Sequence, residues 1–476
     1  MLKRKGLIYM DISENRDEHN LIRDLKDTLD KEKNEQLKDI IVSSIYAKAE
    51  EIASDVVVKE SNRKIDWDQK LDDILTSKYS GFPIMFLLLG VIFWITIVGS
   101  NYPSEMLSNL FFGIEDHLTG WLISISTPQW LHGILILGIY RTLAWVVSVM
   151  LPPMAIFFPL FTFLEDLGYL PRVAFNLDRL FKKAGAHGKQ SLTMSMGFGC
   201  NAAGIIACRI IESPRERLIA MLTNNFVPCN GRFPTLIAMS TILLGGLVAS
   251  RFSNLAASLF VSVLVLISVI VTLAISWLLS KTWLKGVPSS FTLELPPYRK
   301  PQFGRILYTS IIDRTIFVLG RAVVIAAPAG IIIWLLANIN VGGISMLNHS
   351  AAFLQPFANL IGLDGFILMA FILGLPANEI VLPILIMSYM SEGAMLELNS
   401  IRAMKELFIA NNWTWLTTLN VMLFTLFHFP CGTTLWTIKK ECGSNKWTLF
   451  SAVMPTVVGV TILFVITQLV RFLGLA

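Results

Sequence analysis

Residues 197 to 204 read Gly197-Phe198-Gly199-Cys200-Asn201-Ala202-Ala203-Gly204 and interrupt an apolar stretch that runs from 190 to 211. Glycine lets the backbone turn, and broken backbone at membrane depth must face protein or a water-filled cavity. Because Arg209, Arg215 and Arg217 lie at the far end and basic residues also precede the stretch, both of its ends are predicted on the cytoplasmic side. The sequence therefore predicts a re-entrant hairpin with the quoted residues at its tip.

A second interrupted stretch, 365 to 390, breaks at Gly374-Leu375-Pro376-Ala377-Asn378-Glu379 and is predicted to enter from the outer side. Each hairpin is followed by a span with a Pro-Cys break, at Phe226-Val227-Pro228-Cys229 and at Phe429-Pro430-Cys431. The order of elements in 131–280 thus repeats in 316–476 with opposite entry. Inverted repeats with discontinuous helices are typical of transporters, whose substrate site lies near the midplane at the broken segments.

The composition places these segments in a membrane. Hydrophobic residues make up 54% of the 476 residues and charged residues only 15%, against about 25% charged in soluble proteins, which excludes a soluble enzyme. A crossing needs about 20 apolar residues, and candidates lie at 82–99, 131–164, 217–248, 253–280, 316–338, 411–438 and 448–472. We predict an all-α integral membrane protein, a polytopic transporter with two inverted repeats, about seven spanning helices and two re-entrant hairpins.

Charge sets the predicted orientation. Residues 1 to 80 hold 15 Lys/Arg and 18 Asp/Glu and predict a solvated head that is helical from Ser13 to about Lys59. No apolar signal-peptide core opens the chain, so the first span is expected to direct insertion with the N-terminus in the cytosol. Segments 100–130 and 339–364 lack Lys and Arg and are predicted outside, whereas 166–190 and 281–314 are basic and predicted inside. The predicted division is a cytosolic helical spacer (1–80), the first transmembrane helix with an outer loop (81–130), repeat 1 (131–280), a cytosolic linker (281–315) and repeat 2 (316–476).

Polar groups inside a membrane are costly and are therefore candidates for function. They fall at the four breaks, where thiols, amides and a carboxylate form a ligand set suited to Fe(II), Zn(II) or Mn(II). We predict that the repeat brings together Cys200, Asn201, Cys229, Cys431, Asn378 and Glu379. The cysteines would be transient metal ligands, the asparagines would offer hairpin-tip oxygens, and the glutamate would compensate the cation's charge. Cys208 and Cys442 are interpreted as buried apolar residues, and the odd total of five argues against a disulfide framework.

The sequence allows two interpretations for each of several other polar residues in or beside the predicted spans. His428 either joins the ligands or satisfies backbone carbonyls. Glu165 and Asp166 either collect cations at the inner mouth or are simply solvated. Arg141 and Arg232 could pair with a carboxylate such as Glu165 or Glu379, and Arg232 could equally bind exposed carbonyls.

Several motifs together indicate a family. Leu164-Glu165-Asp166-Leu167-Gly168-Tyr169-Leu170-Pro171-Arg172, with Phe175 and Asp178-Arg179, precedes the Gly-Phe-Gly-Cys-Asn tip, and Leu293-Glu294-Leu295-Pro296-Pro297-Tyr298-Arg299 and Pro430-Cys431 with Lys439-Lys440-Glu441 follow it. These motifs and their order resemble the membrane domain of the ferrous iron transporter B (FeoB) family. The resemblance covers the chain from about residue 40 to the C-terminus. The resemblance implies two Gate, or nucleoside-recognition-like, repeats that move Fe(II) inward across the cytoplasmic (inner) membrane. It places the family's proposed iron path at Cys200, Asn201, Cys229 and Cys431.

Two departures from the family pattern matter. FeoB proteins usually begin with a GTP-binding domain and a helical spacer, of which only the last part is recognised here, in residues 13–80. No Walker-type loop is present either, since Gly188-Lys189-Gln190-Ser191 lacks the pattern. The resemblance thus implies a split member that binds no GTP itself and has a separate GTPase polypeptide as partner. The second hairpin commonly reads Ala-Lys-Glu where Ala377-Asn378-Glu379 stands here, which removes a cation from the site.

Fe(II) is accordingly predicted as cargo, with no permanently bound cofactor, and the lipid bilayer, a divalent metal ion and a GTPase as partners. Nucleic acid is excluded as a partner because the net charge of +5 arises in loops beside apolar segments; homo-oligomerisation is left open. The residues also allow a transporter of nucleosides or other small solutes, with Asn201, Asn378 and Glu379 as hydrogen-bonding groups. They further allow a non-transporting membrane receptor or scaffold whose head binds a partner. None of these functions is enzymatic.

Overall fold

The computed structural model describes residues 31–56, 67–77, 79–244, 253–285, 298, 300–395 and 401–474. These residues are mostly helical, and six helices are long and apolar enough to cross a membrane, or seven if one bent pair counts as a single span. The chain is therefore an all-α, multi-pass membrane protein, as the sequence predicts. It divides into two compact units. The smaller unit contains helix α1 (Lys31–Val56), while residues 13–30 and 57–59 of the predicted head helix lie outside the described ranges.

The larger unit holds the membrane helices. A short lead-in helix and two long helices come first, followed by the first hairpin and the first broken span: α2 (Trp67–Leu75), α3 (Gly81–Ser124), α4 (Gln129–Asp166), α5 (Tyr169–Lys183), α6 (Gln190–Gly199), α7 (Asn201–Ala207), α8 (Pro214–Thr223), α9 (Phe233–Leu244) and α10 (Ser253–Lys281). The described part of the predicted span 217–248 thus contains two short helices, α8 and α9, on either side of the predicted break, and residues 245–248 lie outside the described ranges.

The second half of the larger unit has a similar order. It consists of α11 (Phe303–Asn338), a small hairpin of β1 (Asn340–Val341) and β2 (Ile344–Ser345), α12 (Met346–Leu360), α13 (Gly365–Leu373), α14 (Val381–Met390), α15 (Ile401–Ala410), α16 (Trp415–Phe427), α17 (Gly432–Cys442) and α18 (Asn445–Phe472). Helices α13 and α14 form the second hairpin. Helices α16 and α17 form the second broken span, with the Pro-Cys break between them. All predicted breaks are therefore present.

Two predicted outer loops are partly helical. Helix α3 continues through residues 100 to 124, where the sequence predicted a loop, and residues 346 to 360 form α12 within the predicted loop 339–364. Helices α12 and α13 are bent by 111° relative to each other. Both loops were inferred from the absence of Lys and Arg, which reports the side of the membrane and not the backbone conformation.

Helices α4 and α11 cross closely at two glycines. A Cβ atom on Gly330 of α11 would lie 2.2 Å from the carbonyl oxygen of Gly138 in α4, so a side chain there would push the helices apart. Small residues at helix crossings allow this kind of backbone contact in membranes. The crossing brings the helices that precede the two hairpins together, and the buried core surrounds the breaks.

The first hairpin is held by one asparagine that lies between two of its glycines. Asn224, at the end of α8, is fully buried, and its Nδ2 donates a hydrogen bond of 3.3 Å to the carbonyl oxygen of Asn201. A Cβ atom on Gly197 would lie 2.7 Å from Asn224 Oδ1, and one on Gly204 would lie 2.6 Å from Asn224 Nδ2. The spacing of these glycines in the tip motif therefore leaves room for the amide.

We expect Gly204→Ala to destabilise the protein by about 1–3 kcal/mol, because overpacking forces the buried amide or the hairpin to shift. Gly90→Ala in α3 is the matched control, since a Cβ atom there would meet nothing within 4 Å. Thermal unfolding of the purified chain in detergent measures the difference. Equal stability of the two variants would contradict this account of the hairpin.

Candidate functional site

The two hairpins break with the same backbone geometry. Cys200 lies between α6 and α7 with φ −155° and ψ 125°, and Ala377 precedes Asn378 with φ −152° and ψ 125°. In each hairpin one extended residue is followed by an asparagine that begins the returning helical segment. The sequence correspondence of the two tips is thus also a structural one, and both amides lie at N-terminal helix ends.

The two broken spans also match each other. Cys229 has φ −82° and ψ 168° and precedes a short turn that leads into α9, while Cys431 has φ −61° and ψ 157° and precedes α17. A preceding proline has no N–H to leave unpaired at such a break. Each thiol therefore lies at the N-terminal end of a helical segment, where the helix dipole favours negative charge.

The four breaks meet at one small cavity. Its volume of about 20 Å³ is room for roughly one water molecule or one ion. The wall includes all six residues that the sequence singled out: Cys200, Asn201, Cys229, Asn378, Glu379 and Cys431. The structure thus brings these side chains together, and their roles as metal ligands stay a prediction.

His428 lies behind Asn378. Its imidazole is buried, and Nε2 is 3.2 Å from Asn378 Oδ1. Nδ1 is 3.0 Å from the carbonyl oxygen of Phe424 and 3.1 Å from that of Thr425, so Nδ1 carries a proton that it can donate. Asn378 Nδ2 in turn lies 3.7 Å from Cys229 Sγ. Of the two roles left open for His428, the structure favours bonding to backbone carbonyls. A neutral ring that donates from Nδ1 has no proton on Nε2, so Nε2 contacts Asn378 Oδ1 without donating to it.

Glu379 provides the carboxylate of the cavity wall. Among the described residues, no lysine, arginine or histidine forms an ion pair with it. Gly231 faces it so closely that a Cβ atom there would lie 2.2 Å from Glu379 Oε1. Thr433, also in the wall, is buried, and within the described ranges its Oγ1 has no hydrogen-bond partner. Among the described residues, the cavity therefore offers a carboxylate that has no basic partner and a hydroxyl that has no hydrogen-bond partner.

Arg232 connects the two broken spans. Its side chain is fully buried, and Nη1 donates hydrogen bonds of 3.1 Å to the carbonyl oxygen of Asn225 and 2.9 Å to that of Leu426. Nη2 donates to the carbonyl oxygen of His428 at 3.2 Å. One guanidinium thus binds carbonyls freed at both breaks, which is the second of the two roles that the sequence left open for it.

Arg141 does not pair with Glu165 or Glu379, as the sequence suggested it could. Its Nε donates a 2.9 Å hydrogen bond to Glu115 Oε1 of α3. Glu115 lies in a segment that the sequence predicts as an outer loop, so it was not among the expected partners. The ion pair fastens α3 to α4 at a distance from the cavity wall.

Two methionines of the wall were missed by the sequence analysis. Met150 and Met154 on α4 both line the cavity, and their spacing of four residues places them on one face of the helix. The signal that could have found them is Met150-Leu151-Pro152-Pro153-Met154, because two prolines inside a span mark a weakened helix. Thioethers add soft donors to the three thiols.

Across the described ranges, no group of three or more His, Cys, Asp or Glu side chains stands close enough to hold a metal ion. The wall offers a mixed set of thiols, thioethers, amides, a hydroxyl and one carboxylate. Soft and borderline cations interact with such a set.

Comparison with known proteins gives consistent matches. The Gate family model, described as "Nucleoside recognition", matches residues 147–243 and 319–445, and the model "Ferrous iron transport protein B C terminus" matches 261–313. The chain is 28% identical over 433 residues to the Fe(2+) transporter FeoB of Staphylococcus aureus (strain MSSA476), covering 88% of this chain and 62% of the relative. It is 28% identical over 441 residues to that of Methanocaldococcus jannaschii, covering 90% and 62%. No solved structure matches it.

The fold and the cavity define a multi-pass helical membrane protein with discontinuous helices around a buried polar site. Within this class, the chain belongs to the family of FeoB membrane domains, which confirms the resemblance of its motifs. The two Gate matches each include one hairpin tip and one Pro-Cys break. The chain spans about 62% of the length of the two relatives named above.

Proposed function

We propose that this chain carries Fe(II), or a similar divalent transition metal, across the cytoplasmic membrane through the cavity at the four breaks. The observation that carries the proposal is that the six side chains predicted as ligands, which lie far apart in sequence, line one cavity of ion size. Relatives named Fe(2+) transporter support the choice of metal. The midplane position of the cavity and the opposite entry of the two repeats are part of the same proposal.

The chemistry of transport would be ligand exchange with the cavity wall. An incoming ion would lose water and gain contacts to the sulfur atoms of Cys200, Cys229 and Cys431, and each thiol that binds as a thiolate would release its proton to water. Glu379 would offset part of the ion's charge. The asparagine amides would supply oxygen ligands. No step requires a permanently bound cofactor. A cytosolic N-terminus, which the distribution of charge supports, and a separate GTPase polypeptide, which the resemblance implies, complete the proposal.

The cysteines provide the direct test. We expect the variant Cys200→Ser/Cys229→Ser/Cys431→Ser to lower Fe(II) uptake into liposomes by about tenfold or more, because metal ligation is lost. Cys208→Ser/Cys442→Ser is the matched control: Cys208 Sγ contacts the carbonyl oxygen of Gly204, and Cys442 Sγ contacts the Met221 sulfur. This control should keep its uptake.

Mn(II), Zn(II) and a nucleoside are measured in parallel with both variants. Nucleoside uptake that the triple variant leaves unchanged, without Fe(II) uptake, would overturn the metal proposal in favour of a small-solute transporter. Absence of all fluxes from a folded chain, even with a GTPase partner added, would favour a receptor or scaffold.

A further inference from the structure

Three distant segments meet at one ion pair, in which the arginine is buried and the aspartate is half-buried. Arg172 of α5 donates from Nε to Asp72 Oδ1 at 2.9 Å and from Nη2 to Asp72 Oδ2 at 3.1 Å. Tyr298 donates its hydroxyl to Asp72 Oδ1 at 2.7 Å, and the Arg172 guanidinium lies 4.2 Å from the centre of the Tyr298 ring. Arg172 and Tyr298 belong to the two family motifs for which the transport proposal gives no role. We call Asp72, Arg172 and Tyr298 the clamp.

The lead-in helix is held at a second point. Asn176, one turn after Arg172 on α5, donates from Nδ2 to the carbonyl oxygen of Leu75 at 2.7 Å. A Cβ atom on Gly81 would lie 2.5 Å from that oxygen, so the chain turns tightly from α2 into α3 at this place. The Ser80 hydroxyl closes the corner by donating to the carbonyl oxygen of Ile74 at 2.6 Å. Helix α2 is therefore fixed to α5 at two points, the side chain of Asp72 and the carbonyl oxygen of Leu75 at its C-terminal end.

The clamp keeps its charge state at neutral pH. The hydrogen bonds from Arg172 hold the pKa of Asp72 below its usual range, so the carboxylate stays ionised. Burial, with the hydrogen bond to Asp72, raises the pKa of Tyr298 to about 12, so the phenol stays a donor. Arg172 is only 2% exposed, and a buried guanidinium that loses its carboxylate is strongly disfavoured. The clamp thus closes with a preference that a surface ion pair would not have.

A short and well-bonded connection runs from α5 to the hairpin tip. Helix α5 packs against α6, and the loop between them is fixed because a Cβ atom on Gly188 would lie 2.1 Å from Asp178 Oδ1 of α5. His187 Nδ1 accepts a 3.0 Å hydrogen bond from the backbone N–H of Lys189. Helix α6 ends at Gly199, next to Cys200. This packing is the path by which a shift of α5 would reach the hairpin.

We propose that the clamp positions the first hairpin and so controls access to Cys200. With the clamp closed, α2 holds α5, and α5 holds the tip in the conformation described above. With the clamp open, α5 and α6 move together and expose the thiol. Asp72, Arg172 and Tyr298 are positioning residues, because none of them lines the cavity. The effect of the clamp on metal flux rests on the proposed function, whereas its effect on thiol access does not.

The test measures labelling of Cys200 in the full chain in lipid nanodiscs, with the other four cysteines replaced by serine. A small membrane-permeant maleimide reports access, and hydrogen exchange of residues 67–75 reports whether α2 is released. We expect Asp72→Asn to raise the labelling rate of Cys200 by about tenfold. The labelling rate and the hydrogen-exchange rate of residues 67–75 both rise with the population of the open state. Asp73→Asn is the matched control, because it removes the same charge from the neighbouring, exposed position of α2. Tyr298→Phe, which removes only the hydroxyl, should give a smaller increase.

Two outcomes would overturn the proposal. If Asp72→Asn speeds exchange of residues 67–75 but labels Cys200 at the rate of Asp73→Asn, then release of the helix does not reach the hairpin. If exchange of residues 67–75 is the same in both variants, Asp72 does not hold the helix. Neither result depends on transport, so missing Fe(II) uptake by the wild-type chain with a GTPase partner added would refute the proposed function and leave the clamp standing.

Discussion

Replacing Arg232 with methionine is expected to lower the free energy of unfolding by about 3 kcal/mol or more. The substitution removes the donors for the carbonyl oxygens of Asn225, Leu426 and His428. A buried polar group left without its partner costs about 1–3 kcal/mol, and the gain from removing a buried charge offsets only part of the total. Thermal and denaturant unfolding of the purified chain would measure the loss.

Arg209→Met is the matched control for that experiment. Arg209 is 67% exposed and pairs with Glu441, and an exposed ion pair contributes about 0–1 kcal/mol. Arg232→Lys should fall between the two, because an ammonium keeps the charge but cannot reach three carbonyls with a planar fork. Equal stability of Arg232→Met and Arg209→Met would mean that the guanidinium does not join the two breaks.

The position of Arg232 also bears on how two separate breaks can form one site. A broken span frees backbone carbonyls, and inside a membrane they need a partner within the protein. One guanidinium binds carbonyls from both spans and so holds their two Pro-Cys breaks at a fixed separation. Cys229 and Cys431, which follow these breaks, then line the same cavity. The fold thus uses a cation as a structural element beside a site that we propose for cations.

The sequence predicted those parts of the site that depend on backbone breaks. Glycine and proline mark the turns at Cys200 and Cys229 whatever surrounds them, and the repeat assigns the partners in the other half. It could not predict Met150 and Met154, since methionine inside a span looks like any apolar residue until its neighbours are known. The partner of Arg141 was also beyond reach, because Glu115 lies in a segment whose missing Lys and Arg suggested a loop.

The two roles that the sequence left open for His428 and for Arg232 show the same limit of prediction from sequence. Histidine can bind a metal ion or backbone carbonyls, and arginine can bind a carboxylate or backbone carbonyls. The sequence alone does not say which of these groups lies near the side chain. Three-dimensional contacts decide it: His428 Nδ1 faces two carbonyls of its own helix end, and Arg232 faces three. The motifs at Arg172 and Tyr298 were recognised as a family resemblance, but their joint contact with Asp72 needs the fold.

Gly231→Ala is expected to reduce Fe(II) uptake by about tenfold or more while the chain stays folded. The new Cβ atom would lie 2.2 Å from Glu379 Oε1, so the carboxyl group must leave its place in the cavity wall. Gly231 is not among the glycines with positive φ, and alanine can therefore adopt its backbone conformation. The loss follows from moving the one carboxylate that offsets the charge of a divalent ion. Liposome uptake, with thermal unfolding of the same preparation, measures both parts of the expectation.

Gly320→Ala in α11 is the control, because a Cβ atom there would meet nothing within 4 Å, and its uptake should match the wild type. Glu379→Gln separates charge from shape, since it keeps the volume of the side chain and removes only the negative charge. If charge compensation is the role of Glu379, both Gly231→Ala and Glu379→Gln lose uptake. Full uptake by Glu379→Gln together with a loss in Gly231→Ala would assign the carboxyl group a packing role, and the charge would then have to be offset by the thiolates alone.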